Sequence, residues 1–121
     1  MDDEPSVLEV LEEMLQVLGY QTVGAFDGDQ AIERYCEEIA AGRRFHAVIL
    51  DLTVRGGKGG IETAREIITL DPTAYVVAST GYVDDKVLSE HRRHGFQDVL
   101  RKPYQMERLA TVLAQARSQD L

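Results

Sequence analysis

The sequence predicts an α/β domain, a doubly wound parallel sheet with helices on both faces. Three observations predict it. After an opening helix, strand-like and helix-like segments alternate four times. Two of the strand-like runs, HAVILDL at 46–52 and AYVVAST at 74–80, are apolar along most of their length, as suits strands covered on both faces. Right-handed crossovers then leave few topologies, of which a five-stranded sheet is the natural one. Only four strands are legible, so the first is expected to be largely missing, with Met1 all that remains of it.

Each element has its own signal. Val7, Leu8, Leu11, Met14, Leu15 and Leu18 recur at helical spacing, with Pro5 suited to a first helical position and Gly19 to a stop. YQTVGAF, residues 20–26, reads as a short strand. DGDQAIERYCEEIAAG reads as a helix with Ile32, Tyr35, Cys36 and Ile39 on one inward stripe, Cys36 serving as core filler. HAVILDL is the next strand, the glycine-rich GGKGG a loop, IETAREIITL a helix and DPT a turn. AYVVAST is followed by a shorter, more polar helix, DDKVLSEHRRHG. FQDVLRKP is the last strand, and QMERLATVLAQARS closes the chain as a helix with Met106, Leu109, Leu113 and Ala116 inward.

Composition narrows the function. A chain of 121 residues is expected to form one domain, 1–121, with a core that needs no staples. Its net charge of −8 argues against nucleic acid as a partner, and the local HRRH cluster at 91–94 reads as a solvated helix face. One cysteine allows no internal disulfide, and no apolar run is long enough to span a membrane, so a cytoplasmic location is expected.

Ligands of open α/β sheets bind outside the carboxyl ends of the strands. The polar residues expected there are Asp2 and Asp3 after the missing strand, Asp51, then Ser79 and Thr80, then Lys102 before Pro103. Clustered carboxylates repel: two unit charges about 4 Å apart cost roughly 4 kcal/mol at an effective dielectric near 20. A divalent cation relieves this, and oxygen-only donors favour Mg²⁺ over Zn²⁺. A carboxylate beside such an ion is a plausible phosphoryl acceptor, with a lysine and a threonine to meet the phosphoryl oxygens.

This combination resembles the receiver domain of response regulators (CheY-like), the phosphoacceptor module of two-component signalling. It consists of an acidic pair, an aspartate closing an apolar strand, Ser-Thr 28 and 29 residues later, and Lys-Pro with its lysine 22 residues after Thr80. The likeness runs from Asp2 to about Ala116, which leaves a receiver truncated before its first acidic pair. The stretches DLTVRGGKGG, ASTGY and RKPY look most like receivers at the C-terminus of hybrid sensor histidine kinases. The resemblance implies the flavodoxin-like strand order 2-1-3-4-5. It implies that Asp51 accepts phosphate from the histidine of a sensor kinase or phosphotransfer protein. Mg²⁺ is then held by Asp2, Asp3, Asp51 and the Thr53 carbonyl. Lys102 and Thr80 meet the phosphoryl oxygens, Gly81 leaves room for them, and the Lys102–Pro103 bond is cis. Such a domain is a phosphorelay phosphoprotein, not an enzyme, apart from slow self-dephosphorylation, which Tyr82 could retard by shielding the phosphoryl group.

The chain departs from the family pattern in places. Val99 stands where many receivers carry an aromatic residue three positions before the lysine. The loop after Asp51 lacks the usual proline and is one residue longer, and its four glycines predict mobility. Losing about five buried strand residues removes roughly 7–15 kcal/mol, rivalling a domain's whole stability. A perturbed sheet, strand exchange or a homo-oligomer is therefore expected. Two other functions fit less of the sequence. One is a receiver-like interaction module that needs no phosphate. The other is a small haloacid-dehalogenase-like phosphatase, which would need a second acid where Thr53 stands. Nucleotide binding is weaker still, because GGKGG matches no phosphate-loop pattern.

Overall fold

A computed structural model of the chain describes residues 1–81 and 89–118. Helix α1 spans Pro5–Val17, α2 Gly28–Ala40, α3 Gly60–Leu70 and α4 Met106–Ser118. Strands β1 (Val48–Asp51), β2 (Val76–Thr80) and β3 (Asp98–Arg101) form a parallel sheet in that order. Asp51 is level with Ser79, and Thr80 with Arg101.

The helix ends follow local chemistry. Pro5 opens α1. Gly19, at φ +92°, closes it in a left-handed turn, with Gly19 N–H on the Gln16 carbonyl and Tyr20 N–H on that of Leu15. Gly42 closes α2 in the same way, and the Asp27 carboxylate caps its start by accepting from Gln30 N at 2.9 Å.

The core is split by the sheet, as double winding requires. On one face, Ala31 and Tyr35 of α2 and Ala64 and Ile67 of α3 pack against Leu50, Val76, Ala78 and Val99. On the other, Leu11 of α1 and Leu109, Val112 and Leu113 of α4 pack against Ile49, Val77 and Leu100. Strand side chains alternate between faces, so each strand feeds both cores.

The outer edge of β1 differs from a regular sheet. Met1 supplies two backbone bonds there: its amine donates to the Ile49 carbonyl at 2.7 Å, and its carbonyl accepts from Asp51 N at 3.1 Å. Its side chain joins the core. Residues 20–26, expected as a strand, form none. The bond from Asp2 N–H to the Ala25 carbonyl, at 3.1 Å, stands where a ladder would need a run of residues. Among the described residues the sheet thus has three strands, with Met1 standing beside β1. Burial of the Met1 amine lowers its pKa from 8.0 to about 6.

Several side chains are not where helical spacing put them. Cys36 is exposed and fills no core, Ile39 is 43% exposed, and Met106 at the start of α4 is 36% exposed. Val112 takes an inward place instead. The polar helix expected over 84–95 falls partly outside the described residues; its HRRH portion is a 3₁₀ turn, His91–His94, ended by Gly95 at φ +93°. Among the described residues, no helix is long and apolar enough to cross a membrane.

Candidate functional site

The carboxyl ends of β1, β2 and β3 and the residue pair after Met1 converge on one acidic pocket. β1 ends in Asp51, 3% exposed, because an apolar run covered on both faces carries its last residue to the sheet's rim. Asp2 is 1% exposed, drawn in by the Met1 backbone bonds and by Glu4 N–H, which donates to Asp2 Oδ1 at 2.9 Å. Asp3 is held by Arg55 N–H, which donates to its Oδ2 at 3.0 Å. Lys102 follows β3 directly and turns at the cis Lys102–Pro103 bond, as expected. Its Nζ lies 2.6 Å from Asp2 Oδ2 and 3.3 Å from Asp51 Oδ2. Thr80 is buried at the end of β2, and the position of a Cβ on Gly81 has nothing within 4 Å.

The electrostatics follow from this crowding. Burial raises the Asp51 pKa; Lys102 opposes the shift, and the Asp2 carboxylate adds to it. Burial by itself would lower the Lys102 pKa, but pairing with Asp2 and Asp51 carries it above the ordinary lysine value. One ammonium thus serves two buried carboxylates.

Carboxylate oxygens of Asp2, Asp3 and Asp51 lie within 4.8 Å of one another. Asp2 Oδ2 is buried, with the Lys102 ammonium as its partner at 2.6 Å. Three carboxylates that bring only oxygen donors to one place fit a hard divalent ion such as Mg²⁺. The Thr53 amide donates to Asp51 Oδ1 at 3.3 Å.

Sequence reasoning missed other parts of the site. Tyr104 OH lies 2.6 Å from Ser79 Oγ, tying the segment after Pro103 to the strand that carries Thr80. Burial raises the Tyr104 pKa, with the Ser79 bond opposing. The tyrosine in RKPY was visible, but nothing local named its partner. The glycine-rich loop after Asp51 is hydrogen-bonded to its surroundings at three points: Leu52 N–H bonds the Ser79 carbonyl, Arg55 N–H bonds Asp3, and Gly28 N–H bonds the Lys58 carbonyl. Val99 is buried in the core and supplies no aromatic switch. Tyr82 lies outside the described residues.

A parallel α/β fold with an acidic pocket and a lysine across the strand ends defines a receiver-like class. The model of the response regulator receiver domain matches residues 1–114, and the chain belongs to that family. It is 31% identical over 116 residues to the transcriptional regulatory protein ZraR of Klebsiella oxytoca, covering 96% of this chain but 25% of ZraR. The chain therefore spans about a quarter of that relative's length. In fold it is similar to a response regulator receiver domain from Clostridium thermocellum, with TM-score 0.87, 23% identity and coverage of 98% of this chain and 91% of that one. It is likewise similar to the receiver domain of the sensor histidine kinase PA1611 from Pseudomonas aeruginosa, with TM-score 0.81, 25% identity and coverage of 98% and 93%. That structure has a magnesium ion coordinated in its active-site cleft.

Proposed function

We propose that Asp51 accepts a phosphoryl group from a histidine of a sensor kinase or phosphotransfer protein, and that the acyl phosphate switches a protein-interaction surface. The observation that carries this is Lys102 bridging Asp51 and Asp2, with the Asp3 carboxylate beside them. The phosphorus–nitrogen bond of the donor breaks and a bond from phosphorus to an Asp51 oxygen forms. The imidazole leaves with the bonding electrons. Asp2, Asp3, Asp51 and the Thr53 carbonyl would hold Mg²⁺, which when bound supplies positive charge to the transferring oxygens. Lys102 neutralises charge on the same oxygens, fixed in place before the reaction by its two ion pairs. Thr80 donates its hydroxyl to the phosphoryl group and biases the switch.

The domain, by this reading, works in the cytoplasm. Its likeness to a sensor kinase receiver supports a hybrid-kinase context. The test is incubation with Mg²⁺ and a small phosphodonor, followed by intact-mass analysis. The wild-type chain gains one phosphoryl group, and Asp51→Asn gains none. No adduct on the wild-type chain would overturn the proposal and favour a phosphate-independent interaction module.

A further inference from the structure

We infer that Lys58 is a positioning residue: it clips the glycine-rich loop after Asp51 to α2 and α3, and so sets the Asp3 carboxylate for cation binding. The inference rests on the phosphoacceptor reading above and adds a residue to it.

Lys58 is the one residue with a side chain between Gly56 and Gly60. A loop of that composition has little to fix its path, because glycine pays the largest ordering entropy. What fixes it is Lys58. Its Nζ donates to both Glu66 oxygens of α3 at 2.8 and 2.9 Å and lies 3.2 Å from Asp29 Oδ1 of α2. Its carbonyl accepts from Gly28 N, the first residue of α2, at 3.0 Å. Its aliphatic stem lies across that glycine, where a Cβ would come within 2.8 Å of the Lys58 Cβ and 2.0 Å of Thr63 Oγ1. The lysine side chain is 19% exposed although both carboxylate partners are far more open.

The clip is anchored close to the site on both sides. After it, Gly60 packs on the acceptor's own backbone, where a Cβ would meet the Asp51 carbonyl at 2.6 Å. Before it, Arg55 N–H holds Asp3 Oδ2 at 3.0 Å. The loop backbone from 52 to 59 is thus pinned at Leu52 by β2 and at Lys58 by two helices, and Arg55 lies between the pins. Releasing the second pin frees the amide that orients Asp3. Half-exposed ion pairs contribute little to global stability, so the effect is local.

The test uses the full chain with Lys58→Met, which keeps the stem and removes the charge, and with Glu66→Gln, which leaves the loop sequence intact. Lys58→Arg is the conservative control. Two quantities are read: amide hydrogen exchange at Gly28 and Arg55, and the Mg²⁺ dissociation constant by calorimetry with MgCl₂. In Lys58→Met both amides exchange about fivefold faster, the factor a lost ion-pair network gives. The Mg²⁺ dissociation constant rises by up to about tenfold, as for loss of an outer-shell partner. Glu66→Gln shifts both in the same direction by less, and Lys58→Arg restores them. Unchanged exchange at Arg55, or unchanged Mg²⁺ affinity, in a folded Lys58→Met overturns the inference. A wild-type chain that binds no Mg²⁺ overturns the phosphoacceptor reading itself, which separates the two failures.

Discussion

The two long edges of β1 are built by opposite means. On one side every residue from Val48 to Asp51 has a register partner in β2, which is in turn backed by β3. On the other, Met1 meets β1 through two backbone bonds, and Asp2 reaches residue 25 through one more. Yet both sides deliver side chains to the same pocket. Asp51 arrives at the end of one strand and Lys102 directly after another; Asp2 and Asp3 arrive on a two-residue segment. The difference teaches that fold stability and site assembly draw on different parts of this chain. The sheet's strength lies toward β2 and β3, while the acid geometry hangs on a few bonds near Met1.

The comparison can be broken first by packing. Leu50, fully buried in β1, is expected to lose about 2–5 kcal/mol of stability as Leu50→Ala, from lost transfer energy and the cavity left behind. Val23, 52% exposed in the segment that makes no strand, is expected to change stability by less than about 0.5 kcal/mol as Val23→Ala. Denaturant midpoints of the two variants measure this. Comparable losses would mean that residues 20–26 carry load the structure does not show.

The Met1 side is sharpened by pH. In the 121-residue chain with a free Met1 amine, the folded pKa is lowered from 8.0 to about 6. Between these values the unfolded chain binds the extra proton, so stability rises with pH across that window. Two pKa units correspond to about 2–3 kcal/mol from this group. The raised pKa of Asp51 acts in the opposite sense, losing stability as pH rises through its folded value. Unfolding curves at both ends of the window, repeated on Asp51→Asn to remove that opposing titration, check the amine's share. A flat profile in both chains would contradict a buried amine on Ile49.

A smaller effect tests the β2–β3 side. Tyr104→Phe leaves the fully buried Ser79 hydroxyl without its partner and is expected to cost about 1–2 kcal/mol. Adding Ser79→Ala should recover part of the loss, because removing both partners is cheaper than stranding one. A double-mutant cycle with zero coupling would show that the two hydroxyls act independently.

These contrasts also explain what could be seen in the sequence. β1 and β2 were legible because a run covered on both faces is apolar regardless of its neighbours. Residues 20–26 looked equally strand-like, but a strand is defined by its ladder, and no composition of 20–26 can supply the partner. Cys36 and Met106 fell on the right helical stripes yet lie exposed, since periodicity marks a direction and not how far the covering element extends. In the site, Asp2, Asp3, Asp51 and Lys102 were legible because topology alone brings strand ends together. Lys58 with Glu66 and Asp29, and Tyr104 with Ser79, were not. Those pairs depend on side-chain reach from one element to another, which spacing does not encode.

The central claim is that one carboxylate among three, Asp51, takes the phosphoryl group. The most direct measurement is chemical trapping. The chain is treated with Mg²⁺ and a small phosphodonor, reduced with borohydride so that an acyl phosphate becomes an alcohol, digested and sequenced by tandem mass spectrometry. The expected product is homoserine at position 51 and unmodified aspartate at positions 2 and 3. Homoserine at either N-terminal position with Asp51 intact, or at none of the three, would contradict the claim.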